Sequence, residues 1–165
     1  MSKSSSVTVR ATPVQAASVS GPLVVRAESL LVETDKRIEL VDITDTVMEL
    51  IRKCGVREGI ASLWSMHTTC ALIINEAQKA LHADITRVLE DMVDRDAEWM
   101  HNDPQHSDCD RMNADSHLRA MLLGHSITLQ ISAGEAVLGQ WQRVIVGEMD
   151  GPRARTIRLQ ALGVA

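Results

Sequence analysis

The sequence predicts an α+β protein, a largely antiparallel, sandwich-like sheet with about three helices. Segments of period-two alternation recur near the start, middle and end of the chain. Apolar residues at three- and four-residue steps mark only about three helices. The two kinds of segment do not alternate as the strand-helix-strand units of a parallel sheet would.

Residues 1–22 are rich in Ser, Thr, Val and Ala, end in Gly21-Pro22 and lack sustained periodicity. They predict a disordered tail ahead of a single domain over 23–165. Leu23 to Glu33 reads as a strand, Thr34-Asp35-Lys36 as a turn and Arg37 to Val41 as a second strand, together a β-hairpin. Asp42 or Thr44 then caps a helix carrying Ile43, Val47, Leu50 and Ile51, with Lys53 in its last turn and Gly55 as its stop. Gly59 to Glu76 predicts a long buried strand or a bent pair, with Ala61 and Leu63 on one side and Ile60, Trp64 and Met66 on the other. His67-Thr68-Thr69 interrupts it with polar groups that a core must satisfy or use.

Ala77 to Val93 carries Leu81, Ile85, Val88, Leu89 and Met92 at helical steps. Trp99 to Gly124 is the densest polar stretch, with His101, His106, Cys109, His117 and four aspartates ending in an apolar helical run that stops at Gly124. Ser126 to Ser132 alternates as a strand, Ala133-Gly134 turns it, and Val137 to Glu148 returns. Met149 to Pro152 is a turn by residue type, and Thr156 to Leu162 closes the sheet with Ile157, Leu159 and Ala161 on one face.

Composition excludes several functions. A net charge of −5 and a pI near 5.6 argue against neutralising nucleic-acid phosphates. With no Tyr or Phe and three Trp, no aromatic platform for bases exists. No apolar run is long enough to span a membrane. Cys54, Cys70 and Cys109, scattered and odd in number, fit a reduced cytoplasmic setting.

Three histidines stand at polar interruptions: His67 in the strand, His101 at the head of the loop and His117 at the start of the short helix. Their convergence would suit a divalent metal such as zinc; the alternative is a satisfied core histidine and a loop-terminus group. Arg153 and Arg155, on alternate residues of an emerging strand, point to one face and would meet a phosphate, or else form a charged edge guarding the last strand. Asn75-Glu76 offers an orienting amide and a candidate base at a strand end.

The blocks His67 to Glu76, His101-Asn102-Asp103, Asn113 to Ala120 with Leu123-Gly124, Leu138 to Gln142, and Glu148 to Arg153 resemble, in order, those of the YjbQ-like family. The resemblance covers about residues 23 to 163. It implies the YjbQ-like α+β fold, a homotrimer with a polar pocket near the subunit boundary, and a weak secondary thiamine-phosphate synthase activity. That activity joins a pyrimidine methyl diphosphate to a thiazole phosphate and releases pyrophosphate. Carried onto this chain, the family's polar positions are His67, Asn75, Glu76, His101, Asp103, Asn113, His117, Trp141, Gln142, Glu148 and Arg153. His67, Glu76, His101, His117 and Arg153 are the expected catalytic set. Asn75, Asp103, Asn113, Trp141, Gln142 and Glu148, with Arg155 as a weaker candidate, are the expected substrate contacts. His67, His101 and His117 are the expected ligands of a zinc or magnesium ion. A trimeric metabolite- or anion-binding module without turnover, and a metal-assisted hydrolase with Glu76 as base, are the alternatives. Ala77-Gln78-Lys79-Ala80 departs from the acidic residue and proline common after the Asn-Glu pair, which bears on how the next helix begins.

Overall fold

The computed structural model describes residues 19–165; the tail expected over 1–22 lies mostly outside them. Strands β1 (Leu23–Glu33), β3 (Glu58–Ser65), β5 (Ser126–Ser132), β6 (Glu135–Ala136) and β8 (Ala154–Val164) form one sheet in the order β1-β8-β3-β5-β6. Strands β2 (Glu39–Asp42), β4 (Cys70–Asn75) and β7 (Arg143–Glu148) form a second in the order β2-β7-β4. All pairings are antiparallel.

The core lies where the inner faces of the two sheets and helix α1 (Thr44–Cys54) meet, filled by Val47, Ile51, Leu63, Leu72, Val146, Ile157 and Leu159. The absence of Phe and Tyr leaves this interior to aliphatic side chains. Helices α2 (Lys79–Met92) and α3 (Ala114–Leu123) contribute to a smaller cluster of Leu89, Ala120 and Met149, flanked by Leu40 of the second sheet. Among the described residues no helix is long and apolar enough to cross a membrane.

The alternation read from sequence fixes the faces correctly. Ala61 and Leu63 are fully buried while Ile60, Trp64 and Met66 are exposed, and Ile157, Leu159 and Ala161 all face the core. Helix α1 ends at Gly55 in the left-handed conformation, φ 68°, which closes its last turn through an N–H donated to Arg52 O. Its start is held by Asp42, whose Oδ1 accepts from Thr44 N at 2.9 Å. Gln78 answers how α2 begins: its Oε1 accepts from Leu81 N at 2.7 Å, a cap needing neither the acid nor the proline.

Two pairings differ from the sequence expectation, and a third stretch takes one of the two forms expected of it. The hairpin of 23–33 with 37–41 does not form. β1 pairs along its whole length with β8, from Leu23 opposite Val164 to Glu33 opposite Ala154, while β2 pairs with β7 in the other sheet. The intervening turn is drawn to the 149–153 segment, with Thr34 N donating to Arg153 O and Gly151 N to Arg37 O. An eleven-residue strand finds a partner of equal length only in β8. The stretch 59–76 is a bent pair whose halves join different sheets, so His67-Thr68-Thr69 is the crossover. β5 is paired by the short β6 at Glu135–Ala136, and of the return strand expected over Val137–Glu148 only Val137 N reaches β5, donating to Gln130 O; the chain then turns at Gly139–Gln142 and enters the second sheet as β7.

Candidate active site

Two segments meet where the sheets converge at the start of β4 and the start of β8. One is the crossover His67-Thr68-Thr69; the other is the turn Met149 to Arg153, which contains a cis Gly151–Pro152 bond. Gly151 permits the close approach: a Cβ there would lie 2.2 Å from Lys36 O and 2.8 Å from the Glu148 side chain. Around these segments opens a cleft of about 570 Å3, lined by His67, Thr68, Arg111, His117, Arg153 and Arg155 among others.

Its floor is a buried ion pair. Glu148, fully buried, accepts from Arg155 Nε at 2.6 Å and also from Arg155 Nη2, and further takes the Thr34 hydroxyl at 3.1 Å and Asp150 N at 2.7 Å. Arg155 Nη2 also donates to Thr69 Oγ1 at 2.9 Å. The resemblance suggests a substrate contact for Glu148; its oxygens are instead occupied by the protein itself. Beside it, Asp150 accepts from Asn113 Nδ2 at 2.9 Å and Arg153 Nη2 at 3.0 Å, and pairs more loosely with Arg37 at 3.5 Å.

His67 is fixed in one protonation form by its neighbour. Its Nε2 accepts from Thr156 N at 2.8 Å, and a backbone N–H can only donate, so the neutral ring carries its proton on Nδ1. Burial, and then the charge of Arg155, push its pKa below the usual histidine value. His117 is lowered as well, by burial first and then by His101. His101 stands behind it with ring centroids 5.0 Å apart, edge to face, and the Nε2 of His101 is buried without a hydrogen-bond partner.

These lowered values give stability a pH dependence of definite sign. The unfolded histidines take up protons near pH 6.5 and the folded ones only below it, so the contribution is complete above that pH and is lost as pH falls toward the folded values. The melting temperature is expected to drop between pH 8 and pH 5.5, less steeply in His67→Gln, which keeps an acceptor for Thr156 and cannot titrate. Equal slopes in the two proteins would show that His67 is not part of this linkage.

The structure brings His67, Asn113, His117, Arg153 and Arg155 to one cleft, with Glu148 beneath it and His101 behind His117. It does not bring the others there. Asn75 and Glu76 lie at the far end of β4, where Asn75 pairs opposite Arg143, and Trp141 and Gln142 lie in the turn just before β7. The strand separates these four from the cleft within one chain, at about 3.3 Å per residue. Asp103 lines a different crevice, beside Trp99 and Met112, and binds His106 Nδ1 at 2.9 Å. The three-histidine metal set is not assembled: His67 has its Nε2 engaged, and among the described residues no group of three or more His, Cys, Asp or Glu side chains converges on a metal position. Sequence reasoning missed Arg111 and Arg37, ordinary charged residues of loop and turn that no local pattern distinguishes.

Comparison with known proteins gives a consistent picture. The sequence model for UPF0047 protein YjbQ-like matches residues 28–164. A UPF0047 protein of Methanothermobacter thermautotrophicus is 42% identical over 139 residues, spanning 84% of this chain and 93% of that protein. A UPF0047 protein of Bacillus subtilis is 30% identical, spanning 82% and 98%. The crystal structure of a YbjQ-like protein of unknown function from Sulfolobus solfataricus superposes with a TM-score of 0.79 at 33% identity, covering 86% of this chain and 99% of that one. A hypothetical protein from Aeropyrum pernix superposes at 0.76, also with 33% identity, covering 84% and 98%.

Proposed function

The chain belongs to the YjbQ-like UPF0047 family, and from that premise we propose that its cleft binds the phosphoryl end of a small phosphorylated molecule. One observation carries the reading: the carboxylates of the cleft are saturated by the protein while its donors are not. Glu148 and Asp150 are each held by several protein groups. Arg153 uses Nε and Nη2 on Asp150, and Arg155 uses Nε and Nη2 on Glu148 and Thr69, which leaves Nη1 of each without a hydrogen-bond partner among the described residues. With the Nδ1–H of His67, these form an array of donors suited to an oxyanion.

The transfer implied by the resemblance would use that array. The bond from the pyrimidine methylene to the diphosphate oxygen breaks, a bond from the methylene to the thiazole nitrogen forms, and pyrophosphate leaves with the electron pair. Arg153 and Arg155 neutralise the leaving charge and His67 donates a hydrogen bond to it; neutral His117 needs to move no proton. The zinc or magnesium ion implied by the resemblance has no set of three converging ligands among the described residues, so the neutralisation falls to the two arginines. In the homotrimer implied by the resemblance, the exposed Asn75, Glu76, Trp141 and Gln142 would serve the cleft of a neighbouring copy. A metal-assisted hydrolase with Glu76 as base has less support, because among the described residues no group of three or more His, Cys, Asp or Glu side chains converges on a metal position.

Arg153→Ala is the test, read by calorimetric titration with inorganic pyrophosphate. Loss of a charge-assisted contact is expected to weaken binding about tenfold or more. An unchanged dissociation constant would refute the anion site.

A further inference from the structure

Arg111 lines the cleft together with Arg153 and is its least committed cation. The Arg111 side chain is 54% exposed, and Nη1 lies 3.9 Å from Asp150 Oδ2, beyond hydrogen-bond distance. Asp150 is already engaged at 2.9 Å by Asn113 and at 3.0 Å by Arg153, and shares its other oxygen with Arg37. Arg111 is therefore a further partner of a carboxylate that has closer ones, and it forfeits little by turning away.

The backbone next to it is held in an unusual form. Met112 has φ 53°, the left-handed region that residues with a Cβ adopt at a cost. This single residue separates two environments: Met112 lines the crevice beside Trp99 and Pro104, while Arg111 and Asn113 on either side of it line the cleft. Asn113 is 2% exposed and tied to Asp150, so one flank of Met112 is fixed and the other carries a guanidinium that is free to swing. Strain at such a position is a pointer to a binding role.

The charge count indicates the ligand. Three guanidiniums, Arg111, Arg153 and Arg155, face two carboxylates, Glu148 and Asp150, and Asp150 is also shared with Arg37 from outside the cleft. Glu148 and Asp150 balance Arg155 and Arg153, so the one positive charge in excess is that of Arg111, which stays unmatched until an anion brings a further negative charge.

We propose that Arg111 is a swinging clamp that makes the cleft selective for a phosphoryl group carrying two negative charges, a phosphomonoester or terminal diphosphate, over singly charged anions. The proposal rests on the anion-binding reading above and names its substrate class. A phosphodiester or a carboxylate gives Arg111 no second charge to leave Asp150 for.

The experiment titrates the full chain at pH 8 with methyl phosphate, a dianion, and with dimethyl phosphate, a monoanion, using wild type, Arg111→Ala and Arg111→Lys. The wild type is expected to prefer methyl phosphate. Arg111→Ala is expected to bind it about tenfold more weakly with little change for dimethyl phosphate, so that the preference collapses, and Arg111→Lys to recover part of it. Melting temperatures should stay level, since the side chain is exposed. Equal losses for both probes, or no loss for either, would overturn the clamp while leaving the anion site standing. A wild type that binds neither probe would overturn the anion-binding reading, and the clamp with it.

Discussion

Glu148→Ala is expected to destabilise the protein by about 3–5 kcal/mol, the range for removing one partner of a buried ion pair. The loss comes from what remains: the Arg155 side chain is 3% exposed, and without Glu148 its charge is buried with only the oxygens of Thr69 for company. The same substitution removes the acceptors of Asp150 N and of the Thr34 hydroxyl, which link the turn over the cleft to the end of β1. Two controls separate charge from shape. Glu148→Gln keeps the volume and one acceptor and should lose less. Adding Arg155→Met to Glu148→Ala removes the stranded charge and should recover part of the stability. Chemical denaturation reads all three, and a loss below about 1 kcal/mol for Glu148→Ala would mean that the pair is hydrated rather than buried.

A loss of similar size, about 3–5 kcal/mol, is expected for Asp115→Ala. Asp115 is fully buried in the first turn of α3 and accepts from Arg119 Nη1 at 2.8 Å and Arg37 Nη2 at 3.0 Å. Arg119, itself 3% exposed, donates its Nη2 to Val93 O at the end of α2. Removal of Asp115 strands Arg119 and loosens a helix whose one buried residue is Leu89. Hydrogen exchange should therefore rise across α2 more than across β8, which is bonded on both sides. Uniform exchange throughout the chain would show that Asp115 acts on global stability alone and does not anchor α2.

Much of this architecture was legible in the residues. Alternation gave the buried faces of β3 and β8, and Gly55 and Gly124 gave helix ends, because these depend on neighbours one to four residues away. The resemblance gave the cleft's histidines and Arg153. Arg111 escaped notice because it is one charged residue among many in a polar loop, and becomes distinctive only beside Asp150 and Arg153. In sequence Asp115 is one of four aspartates of a polar stretch, whereas the fold buries it completely.

The sequence by itself determined the kind of the long elements and the face that β3 and β8 bury, since hydrophobic period is a local property that survives any arrangement of the pieces. Tertiary structure decided which strands pair and what each polar group is for. β1 chose β8 over its neighbour β2, the stretch around His67 divided between two sheets, and Asn75 and Glu76 were carried to the far end of β4. His67 Nε2 became an acceptor for Thr156, and Glu148 became the counterion of Arg155. The physical reason is common to all of these. Backbone pairing and the satisfaction of a buried charge join residues up to 141 positions apart in the chain, from Leu23 to Val164, and such partners are set by the closing of the whole sheet rather than by any residue's own surroundings in sequence.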